Sequence, residues 1–198
     1  MRLSEHETAI ITGTLLGDGC LERNGKFVRL RMEHSMTQKA YVLWKFAKLQ
    51  RIVTGRPMKV HAHHKKSGMY YDSLRIYSRT NVLLEPFWEY FYGTSGKQVP
   101  LNISSLLRHP LAVAVWLMDD GYKRNDCNAF RFNTDAFAYE DQLRLCAALQ
   151  TNFGIACSMH RKGKYWNIYV PQRSFGRLVD MTKRYVIPSL QYKIALAP

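Results

Sequence analysis

Apolar residues along this chain recur with two periods, and the order in which the periods appear is repeated. An apolar stretch from about His6 to Leu16 predicts a helix that stops at Gly17-Asp18-Gly19. Strand-like alternation follows, clearest from Phe27 to His34. Ser35-Met36-Thr37-Gln38 has capping-box spacing and predicts an amphipathic helix carrying Tyr41, Trp44, Phe46 and Leu49. Two strands, roughly Met58 to His63 and Met69 to Tyr77, flank a Lys65-Lys66-Ser67-Gly68 turn. A helix near Thr80 to Tyr92 closes this half, and residues 93–100 lead on. The second half repeats the order. An apolar helix from about Pro110 stops at Asp119-Asp120-Gly121, a strand covers Ala129 to Asn133, and a helix runs from Tyr139 to Phe153. Strands at Ile155 to His160 and Tyr165 to Val170 flank Arg161-Lys162-Gly163-Lys164, before a last helix from Phe175 to Tyr185. The two acidic stops, Asp18 and Asp120, are 102 residues apart, about half the chain, so a near-duplication is the simplest account.

The strands fix the faces of the expected sheets. Val28, Leu30 and Met32 alternate with Arg29, Arg31 and Glu33; Val60 and Ala62 with Lys59, His61 and His63; Leu74 and Ile76 with Ser73, Arg75 and Tyr77. In the second half Phe130 and Phe132 alternate with Arg131, and Trp166, Ile168 and Val170 with Tyr165, Asn167 and Tyr169. Each sheet is thus expected to pack one apolar face on helices and present one polar face. A polar face alone is what any half-solvated sheet shows. Its basic bias is what favours nucleic acid, because a two-stranded ribbon fits the DNA major groove and these side chains donate to base edges and phosphates.

Charge strengthens that reading. The 198 residues hold 29 Lys and Arg against 15 Asp and Glu, a net +14, shared as +8 over residues 1–100 and +6 over 101–198. Such a surface attracts a polyanion along its whole length. An anionic membrane usually requires a concentrated basic helix, and none stands out. The longest apolar run, Leu111 to Met118, is eight residues, far short of the roughly 20 that span a bilayer. The start lacks a signal or transit pattern. Cys20, Cys127, Cys146 and Cys157 form no CxxC pair and read as reduced thiols in a cytosol-like compartment, a prokaryotic cytoplasm or the interior of a chloroplast or mitochondrion.

The chemistry lies at the two helix ends. In each, an aspartate ends an apolar helix just before a glycine suited to a left-handed cap. The last turn of a helix already carries unpaired carbonyls and about half a negative charge, so a carboxylate there is repelled unless a cation balances it. Carboxylates beside free carbonyls make an all-oxygen site suited to Mg²⁺. Gly13 and Gly17 lie one turn apart and allow a second helix to approach closely. Two such helices packed in parallel would deliver both aspartates to one end, where paired ions can clamp the attacking and leaving oxygens of a phosphodiester. His61, His63 and His64 invite a zinc reading, but successive strand residues face opposite ways and no cysteine has the matching spacing. Gly13 to Gly19 is not a phosphate-binding loop, because no GK[ST] follows.

The segments GTLLGDGCL and LAVAVWLMDDGYK, with GKQVP, FNTDAF and IPSLQYK around them, resemble the LAGLIDADG homing endonucleases of the single-chain, two-motif type. The resemblance implies an α+β fold of two pseudo-symmetric αββαββα halves, 1–96 and 97–198, whose antiparallel sheets form a saddle for DNA. It implies cleavage of both strands across the minor groove, with two or three Mg²⁺ ions shared between the acidic sites and 3′ overhangs left behind. Residue by residue, Asp18 and Asp120 match the metal-binding acids, with the carbonyls of Gly17 and Asp119 as further ligands. Lys97 and Lys193 match basic active-site residues, and His34 or Ser35 and Asn133 or Thr134 are candidates to position the attacking water. The second motif departs from the first, with Val115 and Asp119 in place of Gly13 and Gly17, so an asymmetric helix contact through Ala112 and Ala114 is expected.

The expected DNA-contacting set is Arg29, Arg31, Lys59, His61, His63, Lys65, Lys66, Arg75 and Tyr77, then Lys123, Arg124, Arg131, His160, Arg161, Lys162, Lys164, Asn167 and Tyr169. The partner is a long asymmetric or pseudo-palindromic duplex bound by a monomer. An RNA-binding intron maturase on the same fold is the alternative, with a non-catalytic DNA-binding module third. A pure binder gains nothing from carboxylates, which repel phosphate in the absence of metal.

Overall fold

The computed structural model describes residues 2–64, 68–93 and 96–195. The expected order of elements is present in both repeats. The first contains α1 (Glu5–Leu16), β1 (Cys20–Asn24), β2 (Phe27–Ser35), α2 (Lys39–Lys48), β3 (Val53–His64), β4 (Met69–Ser78) and α3 (Glu85–Phe91). A two-residue ribbon, β5 (Tyr92–Gly93) with β6 (Gly96–Lys97), and a single turn, α4 (Ile103–Leu106), connect to the second. That repeat contains α5 (Pro110–Asp120), β7 (Gly121–Lys123), β8 (Phe130–Phe132), α6 (Tyr139–Phe153), β9 (Ser158–Lys162), β10 (Tyr165–Val170) and α7 (Gln172–Thr182), then a 3₁₀ segment, Pro188–Lys193. The sheets have matching antiparallel orders, β1-β2-β4-β3 and β7-β8-β10-β9. No helix among the described residues is long and apolar enough to cross a membrane.

The chain divides into two compact units, one of residues 1–2 and 18–88, the other of residues 3–17 and 89–198. Helix α1 therefore belongs with α5 in the second unit. Its start is fixed by a capping box: Glu7 N–H donates to Ser4 Oγ at 3.1 Å and Ser4 N–H to Glu7 Oε2 at 2.7 Å. Helix α5 opens with Pro110 in its first turn, and Leu111 N–H donates to His109 Nδ1 at 3.0 Å. Both helices are buried over most of their length, which explains why they are apolar nearly all round. The indole of Trp116 stacks on Phe132 of the neighbouring sheet, 3.9 Å between centroids.

In the first unit α2 packs across β2 and β4. It begins later than the capping-box spacing suggests. Ser35 Oγ accepts from Thr37 N–H at 3.3 Å and caps a 3₁₀ turn over Met36–Gln38, which α2 then continues. Two further expectations are corrected. Gly19 after Asp18 has no positive φ, and Gly121 after Asp120 caps α5 at φ −86°, ψ 145°, so neither glycine is left-handed; α1 is capped by Gly17 at φ −104°, ψ −135°. Close approach is what requires glycine there: a Cβ on Gly121 would lie 2.4 Å from Phe130 Cζ. Val60 is only half-buried and Ala62 exposed, because the outer parts of β3 and β4 extend as a ribbon with Tyr70 and Tyr71 also in solvent. A register shift between Thr54 and Met58, with Gly55 at φ +66°, bends β3 below that ribbon.

Candidate active site

The site is built on the paired helices of the second unit. Gly13 faces the Ala112–Trp116 stretch of α5 and Gly17 faces Asp119, so residue numbers rise together and the helices run parallel. A Cβ on Gly13 would sit 2.3 Å from the Ala112 carbonyl oxygen, and one on Gly17 would sit 2.4 Å from Asp119 Cβ. The contact is asymmetric as the sequence suggests, with glycine on one side only. It brings both C-terminal ends together, and Asp18 is covalently the next residue after Gly17.

Each helix end holds an ammonium group. Lys97 Nζ donates to Gly17 O at 2.9 Å, and Lys193 Nζ donates to Met118 O at 2.6 Å while lying 3.4 Å from Asp119 O. Lysines separated by almost a hundred residues thus serve equivalent positions, offsetting the negative ends of the two helix dipoles. Gly17 and Asp119, expected as carbonyl ligands, both lie within reach of a lysine. A carbonyl oxygen has a second lone pair, so this does not remove them as donors. Asp119 is buried and Asp120 half-buried; the Asp120 carbonyl accepts from Asn133 N–H at 2.9 Å.

In the first unit Asp18 is partly exposed, and its Oδ2 lies 3.4 Å from Nδ1 of the buried His34. The other ring nitrogen of His34 meets Lys45 Nζ at 3.1 Å. Lys45 is fully buried, which no expectation included; a lysine one turn after Tyr41 on the apolar face of α2 was the available signal. Asp18 and His34 are a carboxylate and an imidazole, donors of the kinds that hold divalent cations, and Asp119 is a further carboxylate of the second unit. The carboxylate-rich chemistry fits a hard, oxygen-seeking ion such as Mg²⁺.

The sheet faces carry most of the other expected residues, many already paired. Arg29 and Arg31 reach Glu22 at 3.0 and 2.9 Å, and Arg75 reaches Glu33 at 2.7 Å. Burial pushes the Glu33 carboxyl up, but bonds from Arg75 and Ser73 outweigh it and hold Glu33 below its ordinary value. Arg29 also covers the Tyr77 ring at 4.0 Å. On the exposed ribbon His61 stacks on Tyr70 at 4.9 Å and contacts Asp72 at 2.6 Å, His63 also meets the Tyr70 ring at 4.8 Å, and Lys59 is exposed. Lys65 and Lys66 lie outside the described residues.

In the second unit His160 stacks on Tyr169 at 4.2 Å, with Arg131 5.8 Å from the same ring. Burial, helped by Arg131 and Arg124, pushes His160 below its ordinary value. Arg124 pairs with Asp126, whose carboxyl that bond holds down to about 2. Arg161, Lys162 and Lys164 are exposed and Lys123 half-buried. Asn167 is buried, donating to Asp135, and Lys162 also reaches Asp135 at 3.5 Å. Asn167 is therefore withdrawn from the exposed face, and Asp135 is an acidic anchor the strand pattern did not reveal.

Parallel buried helices, each running into an aspartate and followed by a four-stranded antiparallel sheet of the same order, define a duplicated α+β protein. The chain belongs to the LAGLIDADG DNA endonuclease family, whose model matches residues 8–178. It is similar to the cytochrome b mRNA maturase bI2 of Debaryomyces hansenii, 27% identical over 199 residues, covering 97% of this chain and 74% of that protein. The maturase of the same name from Saccharomyces cerevisiae is 28% identical, and this chain spans 46% of its length. The DNA endonuclease I-ChuI of Chlamydomonas applanata is 25% identical, covering 98% of this chain and 97% of that protein. In fold it resembles the homing endonuclease I-WcaI solved with its DNA recognition sequence, with a TM-score of 0.92 at 20% identity, covering all of this chain and 89% of that one.

Proposed function

We propose that the protein is a site-specific endonuclease that hydrolyses one phosphodiester in each strand of a duplex, across the minor groove, leaving 3′ overhangs. Asp18 and Asp120 are the metal-binding carboxylates, with the carbonyls of Gly17 and Asp119 in support, and two or three Mg²⁺ ions are used. One observation carries the reading: the parallel contact of Gly17 with Asp119 brings the C-terminal ends of α1 and α5 together, and Lys97 and Lys193 donate to carbonyls at those ends. When bound, a divalent ion supplies Lewis-acid stabilisation of charge developing on the phosphate. The protein's own groups do the rest. The lysines steady the helix ends that carry the acids and add positive charge beside the scissile group. The sheet residues Arg29, Arg31, Arg75, Arg131, His160 and Tyr169 orient the duplex, exchanging carboxylate partners for phosphates and base edges.

Because the two sheets share the pair Arg31–Tyr77 and Arg131–Tyr169 but carry different residues elsewhere on their faces, the target is asymmetric or only partly palindromic and is read by one chain. Selection from a random duplex library, followed by cutting assays with Mg²⁺ or EDTA, tests the proposal. Asp18→Asn and Asp120→Asn are expected to abolish double-strand cutting and leave affinity within a few-fold; wild-type cutting by either variant rejects the assignment. A second reading, intron-RNA binding in splicing, is favoured by similarity to two mRNA maturases. It predicts tight binding to a structured intron that survives loss of both aspartates.

A further inference from the structure

We propose that Lys45 fixes His34 as the Nδ1–H tautomer, making His34 a hydrogen-bond donor that positions Asp18 and not a metal ligand. The proposal rests on the nuclease reading above for the role of Asp18, but its main observable does not.

The placement follows from strand and helix periods. His34 takes the last inward position of β2, in the row begun by Val28, Leu30 and Met32. Lys45 lies one turn beyond Tyr41 on the buried face of α2, which packs on that strand. A lysine with no solvent exposure and an imidazole with a side chain only 2% exposed are costly in a core unless they satisfy each other. Lys45 Nζ is 3.1 Å from His34 Nε2 and 4.5 Å from the Tyr41 ring centre, and the His34 ring is 5.0 Å from Tyr41.

An ammonium has three donors and no acceptor. The Lys45 contact therefore needs the lone pair of His34 on Nε2, and in a neutral ring the proton is then on Nδ1. That nitrogen is the one 3.4 Å from Asp18 Oδ2. The chain of partners is consistent from end to end: ammonium to Nε2, Nδ1–H to carboxylate. For His34 to ligate through Nδ1, the proton would move to Nε2 and point at the ammonium, two donors face to face. Lys45 thus removes the imidazole from the donor set and leaves metal binding to oxygen. The Nδ1–H of His34 also fixes the Asp18 rotamer by engaging one carboxylate oxygen.

At the matching strand end the second repeat carries Thr134 where the first has His34. After β8 the buried polar pair is Thr134 with Gln142, whose amide donates to the carbonyls of Thr134, Phe137 and Trp166. His34 therefore positions Asp18 within the first repeat, and its loss is expected to slow one strand.

Long-range ¹H–¹⁵N spectra of the full-length, metal-free protein at neutral pH test this directly. The expected result is a His34 ring protonated on Nδ1 alone, with Lys45→Met shifting the population towards the Nε2–H form. A wild-type ring protonated on Nε2, or on both nitrogens, overturns the proposal, as does a tautomer unchanged by Lys45→Met. On a selected duplex, Lys45→Met is expected to accumulate nicked product by slowing one strand about tenfold. His34→Asn, whose amide keeps a donor near Nδ1, is expected to retain more of that strand's rate than His34→Leu. Equal slowing of both strands contradicts the one-sided role. If no duplex is cut by any form, the nuclease reading fails while the tautomer result still decides the role of Lys45.

Discussion

Adding one methyl group at Gly13 tests whether close helix contact is what assembles the site. The new Cβ of Gly13→Ala would lie 2.3 Å from the Ala112 carbonyl oxygen, 2.8 Å from Val115 Cβ and 3.1 Å from Trp116 N. Unstrained contacts of this kind need about 3.5 Å, so the helices must part by roughly 1 Å. Two of the three obstacles are main-chain atoms, which have no rotamer to change. Overpacking of this sort costs about 1–3 kcal/mol, partly offset by roughly 1 kcal/mol from the better helix propensity of alanine. A net loss of about 1–2 kcal/mol is expected in urea unfolding. The effect on cutting is expected to be larger, on the order of 100-fold, because a displacement near 1 Å at a reacting centre has that consequence. Gly176→Ala is the control: it lies in α7 with nothing within 4 Å of an added Cβ, and it should be stabilising by up to about 1 kcal/mol. If Gly13→Ala unfolds and cuts like Gly176→Ala, the helix contact does not set the geometry of the site.

Three further outcomes are expected. Lys193→Met, which removes a buried ammonium from the Met118 carbonyl, should destabilise by about 2 kcal/mol and more than Lys97→Met, whose lysine is half-exposed; the reverse ranking in chemical denaturation contradicts the dipole argument. Burial chiefly, opposed by Glu5 and aided by His6 and Arg184, holds His109 below its ordinary value of 6.5, and its Nδ1 accepts the N-terminal cap bond of α5. The unfolded chain then binds the proton more readily, so stability is full above about pH 6.5 and falls as pH drops towards the folded value. His109→Asn should flatten that dependence in urea midpoints, and an unchanged slope refutes it. Tyr70→Ala, on a ribbon where Tyr70 is 64% exposed, should weaken duplex binding about tenfold with no change in unfolding midpoint; equal binding places the duplex elsewhere.

Much of this architecture is legible in the chain because it rests on long periodic segments. Helix α6 and strand β10 have the boundaries their patterns predict, Tyr139–Phe153 and Tyr165–Val170, and the twin helices announce themselves by apolar stretches that each run into an aspartate and a glycine. Strand β7 has three residues, Gly121–Lys123, too few to show a period. Val60 and Ala62 alternate correctly, yet no helix covers the part of β3 that carries them, and coverage is a tertiary fact. The caps are not legible in the chain because glycine satisfies two different demands, a positive φ and a close approach, and Gly17 and Gly121 meet the second. Lys45 is hidden for a related reason: a lysine on an apolar face usually extends its ammonium to water, and here it meets His34 at the adjoining strand end and the Tyr41 ring instead.

The membership of α1 bears on how such a protein can be taken apart. Repeat borders follow the primary structure, but this helix leaves its own sheet and spends its apolar surface on α5. Severing the chain near residue 97 would yield two fragments, each displaying a bare hydrophobic stripe. Either would be driven to self-associate or precipitate. Swapping modules between relatives therefore requires transferring both helices as a matched set, or redesigning the small-residue seam where they meet.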